Sequence, residues 1–184
     1  MSDIPKSERS ESPLRAQHMI YNIRKRITAE LMATFGYSQK RFEKHIKAVT
    51  AYVVNEEERE ELSAKIREQE EDFNLWFIQQ ERARVLTFCQ DISVHMRAAN
   101  TIWPDYWSEY EERRLQWDKA MECCNMLQDE LQYIAEVLPA DKNKYTGIVL
   151  EIEHLFNTIK SLRQSDNRFK KHLKGPKRKA AGDS

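Results

Sequence analysis

Glu151-Ile152-Glu153-His154 is the chain's nearest approach to a metal-binding pattern. A di-metal site between helices needs Glu-x-x-His on two helices, and this sequence has no second copy. The histidines His18, His45, His95, His154 and His172 stand singly, which predicts surface or boundary positions, because metal ligands come clustered. Carboxylate pairs such as Glu109/Glu112 read as solvated helix faces. Cys89, Cys123 and Cys124 lie on or beside apolar stripes and read as small buried hydrophobes. The acidic neighbours Glu122 and Asp129 supply none of the electropositive setting a reactive thiolate needs. The sequence holds no Gly-rich phosphate loop, G-x-S-x-G, H-E-x-x-H or C-x-x-C. No catalytic residue, metal or cofactor is predicted, and an enzyme is the least favoured class.

The cations are more informative. Net charge is zero over 184 residues, yet residues 1–55 carry ten Lys/Arg against five Asp/Glu, and residues 142–184 carry eleven against four. Residues 56–72 carry three against nine, and residues 105–141 three against ten. Arg24, Lys25 and Arg26 crowd one turn, with Lys40, Arg41 and Lys44 following. Near the other end come Arg163, Arg168, Lys170, Lys171, Lys174, Lys177 and Arg178. If the two ends meet in the fold, these residues make one positive band suited to phosphate backbones. A solvated surface with a solubilising tail accounts for the same letters.

Aromatic residues form a second cluster, Trp103, Tyr106, Trp107 and Tyr110. They either close one end of the fold or belong to a subunit or partner interface, where Trp and Tyr are enriched.

Helices must position all of this. Four glycines and five prolines in 184 residues leave room for long uninterrupted helices, and no strand alternation competes. Ser12-Pro13 starts the first helix, over about residues 13–35, with Ile20, Ile23, Ile27 and Leu31 on its apolar face. Ser38 caps a second element over 38–102, which Asn55 and the acids after it either continue or restart. Trp103-Pro104 ends it. The third helix, 105–138, carries the stripe Tyr110, Trp117, Met121, Cys124, Leu127, Leu131, Ile134 and Leu138. The fourth, 141–173, keeps a near-heptad seam in which only Asp166 is polar. These patterns predict an all-α, antiparallel up-and-down four-helix bundle with an extended or split second helix. A flexible polar leader (1–12) and a disordered basic tail (175–184) flank the bundle at 13–174. No apolar run of about 18 residues exists to span a bilayer. The polar N-terminus predicts no secretory signal, and three cysteines make no disulfide framework, so a reducing, cytoplasmic location is expected.

Four stretches together resemble one family. PKSERSESPL (residues 5–14), RAANTIWP (97–104), ERRLQWDKA (112–120) and LRQSDNRFK (162–170) are similar to motifs of the four-helix-bundle accessory proteins of diversity-generating retroelement reverse transcriptases, which include the accessory variability determinants. The resemblance implies a ring-like homo-pentamer with no activity of its own. It also implies binding to the reverse transcriptase and its template RNA through basic surfaces, in support of mutagenic cDNA synthesis. Lys6, Arg9, Arg113, Arg114, Arg163, Arg168, Lys170 and Lys171 are the contacts it carries over, with Asn100 and Pro104 as structural punctuation. The chain departs from the family in being neutral and in its longer second helix, whose acidic residues 56–72 read as a docking arm or a change in subunit number. Two rival readings stay open: a helical protein-protein adaptor, or a structural component of a phage or mobile element, in either case without nucleic-acid binding.

Overall fold

The computed structural model describes residues 13–175, in which every regular element is helical. They are α1 (Pro13–Glu30), α2 (Gln39–Val49), α3 (Glu56–Thr101), α4 (Trp107–Val137) and α5 (Asn143–Ser165). A 3-10 helix, Asp166–Lys171, continues α5. The leader, the tail and the Ser12 cap lie outside the described residues.

The first helix stops at Glu30 rather than near residue 35. Phe35 and Gly36 adopt positive φ angles of 48° and 75°, which turn the chain out of the helix. Leu31 and Phe35 still bury fully, and each donates its N–H to the carbonyl four residues back, so the apolar periodicity continues through the turns that follow α1. The expected second helix is two. Ser38 caps α2, its hydroxyl accepting from the Arg41 N–H at 3.4 Å. Asn55 Oδ1 accepts from the Glu57 N–H at 2.9 Å, with Glu56, Glu57 and Glu58 at the positive end of the α3 dipole. Arg59 donates twice to the Val53 carbonyl, at 2.9 and 2.7 Å, and pins the turn between them.

Helix α2 folds back along the start of α3. Phe42 and Ile46 are buried, and Arg67 grips Glu43 through two bonds of 2.9 Å. The acidic residues 56–72 are thus one leg of a helical hairpin.

The remaining length of α3 joins α1, α4 and α5. Helix α1 packs on α3 and α5, α3 on α4, and α4 on α5. Each pair runs antiparallel, as the cross-links show. Gln17 meets Ser93 while Arg82 donates to the Met32 carbonyl. Arg84 meets Glu130 while His95 meets Gln116. Gln128 donates to the Val149 carbonyl while Arg163 meets Asp118. Tyr145 donates to the Phe35 carbonyl while Arg26 meets Glu151. Inside lie Trp117, Ile92, Met96, Leu127, Leu131 and Ile134, all fully buried. Burial of each such side chain contributes about 1.5–3 kcal/mol. Among the described residues, no helix is long and apolar enough to cross a membrane.

The fold therefore has two ends. At the hairpin end, Gly36 accepts from the Asp141 N–H at 3.1 Å and Tyr37 pairs with Ala140. At the opposite end, α1 begins, α3 gives way to α4 and the 3-10 helix closes α5. The described chain both starts and finishes there.

Candidate functional site

The terminal basic site is built by one inward-pointing acid. Asp166, fully buried, accepts from Arg113 Nε at 2.7 Å and from Trp117 Nε1 at 2.8 Å through the same oxygen. Drawing Asp166 inward tightens the chain into a 3-10 helix, whose three-residue repeat also turns Phe169 inward. Arg168, Lys170 and Lys171 are left pointing to solvent. The main chain of Lys174 then stitches this segment to the start of α4, donating to the Asp105 carbonyl at 2.9 Å and accepting from the Trp107 N–H at 3.3 Å. Lys174 is exposed as well. None of Arg168, Lys170, Lys171 and Lys174 is ion-paired to an acid among the described residues. Two instead lie near aromatic rings, Arg168 at 5.0 Å from Phe169 and Lys170 at 5.9 Å from Tyr110.

The other expected contacts separate from this group. Lys40 and Lys44 are exposed on α2 at the hairpin end, and Arg41 there is paired with Asp141 at 3.0 Å. From Asn74 to Thr101, α3 rises about 40 Å, which sets the distance between the two ends. Arg26 is held between Glu30 at 2.8 Å and Glu151 at 2.7 Å, and these carboxylates push its pKa further up. Arg24 and Lys25 are exposed partway along α1, Arg24 sharing a surface cleft with Arg97 on α3. Arg163 is ion-paired with Asp118. The single positive band expected from the sequence is thus not formed among the described residues: α2 carries its cations to the hairpin end, and Arg26, Arg41 and Arg163 have acidic partners. Lys6, Arg9, Lys177 and Arg178 lie outside the described residues.

Two expected interface residues face inward. Arg113 is buried, its Nη1 donating to the Ala99 carbonyl at 2.5 Å and the Ile102 carbonyl at 2.7 Å. Its guanidinium lies between Trp117 and Phe169, at 5.6 and 5.5 Å. It is not placed as a contact for a partner, because the side chain is buried and its charge is paired with Asp166. Tyr110 is buried too and donates to Asn167 Oδ1 at 3.1 Å. Half-buried Arg114 bonds to the Tyr110 hydroxyl and the Arg163 carbonyl, and half-buried Trp107 packs edge-on against Tyr110. Trp103 and Tyr106 remain exposed, at 73% and 51%.

The sequence reading missed the buried carboxylate Glu81, which sits with Glu130 and Arg84 between α3 and α4. Its signal was an acid in helical phase with Phe77, Ile78 and Val85. It also missed an exposed aromatic group at the base of the hairpin. Phe73 lies 5.9 Å from Trp76 and 5.7 Å from Phe77, which in turn lies 5.7 Å from Tyr133.

Elsewhere the chemistry is muted. Burial pushes the Cys89 thiol up to about 12 and the Cys124 thiol higher still, so both stay protonated at neutral pH. Glu151 of the lone Glu-x-x-His is engaged by Arg26. Among the described residues, no three His, Cys, Asp or Glu side chains are grouped as metal ligands would be. No family model, curated protein or solved structure matches the chain.

Proposed function

We propose that this chain is a non-catalytic four-helix-bundle accessory protein that binds RNA through the terminal basic site. The carrying observation is the set Arg168, Lys170, Lys171 and Lys174, exposed and without acidic partners among the described residues. Four uncompensated cations on a rigid support attract a polyanion by releasing its counterions, which requires no base-reading motif. The ring of antiparallel contacts among α1, α3, α4 and α5 supports the bundle reading. The four motif-like stretches support the rest: a reverse transcriptase as partner, its template as the RNA, and a cytoplasmic homo-pentamer. In such a ring the patch repeats, and several weak contacts on one RNA gain avidity from high effective concentration.

Fluorescence anisotropy with labelled RNA over a salt series tests this. Replacing Arg168, Lys170, Lys171 and Lys174 with glutamine should shallow the log-affinity against log-salt slope by up to about 0.7 per cation removed. Glutamine at Lys40 and Lys44, at the other end, should leave the slope unchanged. Equal effects from the two sets would refute the assignment.

A second reading, a helical protein-protein adaptor, is favoured by one observation. Phe73, Trp76 and Tyr133 are 45%, 55% and 49% exposed beside the acidic hairpin leg. Large aromatic side chains in such a patch are typical binding anchors. On this reading Trp76→Ala combined with Phe73→Ala should abolish capture of purified reverse transcriptase, and glutamine at Arg168, Lys170, Lys171 and Lys174 should leave that capture unchanged. Undiminished capture would remove this reading.

A further inference from the structure

Trp103 is the most exposed tryptophan among the described residues, at 73%, although it sits in the tightly held connection between α3 and α4. Several contacts fix that connection. Arg113 holds the carbonyl of the preceding residue, Ile102, and Pro104 after it is buried. Glu109 accepts from the N–H groups of Asp105 and Tyr106, at 2.8 and 3.1 Å. The indole itself meets Phe169 edge-on at 5.1 Å, with 79° between the ring planes. Phe169 belongs to the 3-10 helix that carries Arg168, Lys170 and Lys171, so one packing contact joins the indole to the cations. Exposed Tyr106 lies beside Lys174 and Gly175. An indole held in solvent gains little from the fold, and a neighbouring set of cations without acidic partners among the described residues selects an anionic occupant. Asp105 and Glu109 are the acids closest in sequence, and the Glu109 carboxylate is occupied by the main chain.

Resting on the RNA-binding reading, we propose that Trp103 is a stacking platform for an unpaired base of single-stranded RNA, whose backbone lies along Arg168, Lys170 and Lys174. Aromatic faces accept any base but only one that is free of its own helix, so this site prefers single strands to duplexes. The bound strand would be read by stacking and charge, with little sequence preference.

The test uses the full chain and a fluorescein-labelled RNA of about 12 nucleotides, a length within the usual span of single-strand sites, alone or annealed to its complement. Trp103→Ala should weaken single-strand binding by about ten-fold, the scale of one stacked base, and Trp103→Phe should restore most of it. Duplex affinity should be unaffected by either change. Unaltered helical circular dichroism would show that each variant folds. If wild-type protein binds both RNAs and Trp103→Ala changes neither, the stacking site is refuted while RNA binding stands. If wild-type protein binds neither RNA, both proposals fall together.

Discussion

Asp166→Ala is expected to lower the free energy of unfolding by about 3–5 kcal/mol, the usual loss when one partner of a buried ion pair is removed. The substitution leaves the Arg113 guanidinium inside the fold with only the Ala99 and Ile102 carbonyls as acceptors, and it strips Trp117 Nε1 of its acceptor. Both groups are held within the fold, the Arg113 side chain 6% exposed and Trp117 fully buried. Replacing both partners, Arg113→Met with Asp166→Leu, should recover part of the loss, since an apolar pair avoids the desolvation that the ions suffer while Trp117 Nε1 and the Ala99 and Ile102 carbonyls stay without partners. Urea denaturation of the three proteins measures this. A loss below about 1 kcal/mol for Asp166→Ala would mean the pair is not desolvated. The same substitution carries a functional consequence. It releases the inward pull that forms the 3-10 helix, so RNA affinity should fall although Arg168, Lys170, Lys171 and Lys174 are all retained. Binding lost on removal of a negative charge, a change that Coulomb attraction to RNA would favour, would connect the core directly to the presentation of the cations.

Periodicity carried the helices well, and geometry decided what it could not. The α4 stripe from Tyr110 through Trp117, Cys124 and Leu131 steps by seven, and all four residues are buried as that phase demands. Arg113, Ala120, Leu127 and Ile134 step by seven as well, and all four are buried. The inward position of Arg113 is therefore written in its phase, whereas the resemblance places it as a contact. Its partner, the one acid in the α5 seam, lies 53 residues away, a pairing that local pattern cannot reveal. The break between α2 and α3 was only half legible. Asn55 marked a cap, yet residues 49–56 contain no glycine or proline to force a turn. What decides it is tertiary: Phe42 and Ile46 become buried, and the Glu43–Arg67 pair forms, only when α2 folds back. That choice also carries Lys40 and Lys44 away from the terminal site, so charge counted along the chain overstated charge gathered in space.

Glu81 makes the fold sensitive to pH, and Glu81→Gln should remove that sensitivity. The Glu81 side chain is buried, one carboxylate oxygen has no hydrogen-bond partner, and Glu130 lies close enough to share a proton with it. Burial first, and Glu130 second, push its pKa from 4.5 up to about 7, against the opposing charge of Arg84. Between these values the folded protein keeps a proton that the unfolded chain has released. Stability is therefore greatest below pH 4.5 as far as this group is concerned, and falls as pH rises through 7. One proton over that window amounts to about 3 kcal/mol. The glutamine variant holds the same shape and a permanent N–H donor toward Glu130, so it should gain stability of that order at pH 8 and little at pH 4.5. Subtracting the two urea stability curves cancels every other titrating group and isolates this one. Parallel curves for wild type and variant across the window would show that Glu81 is ionised without cost, and would exclude a shared proton between α3 and α4.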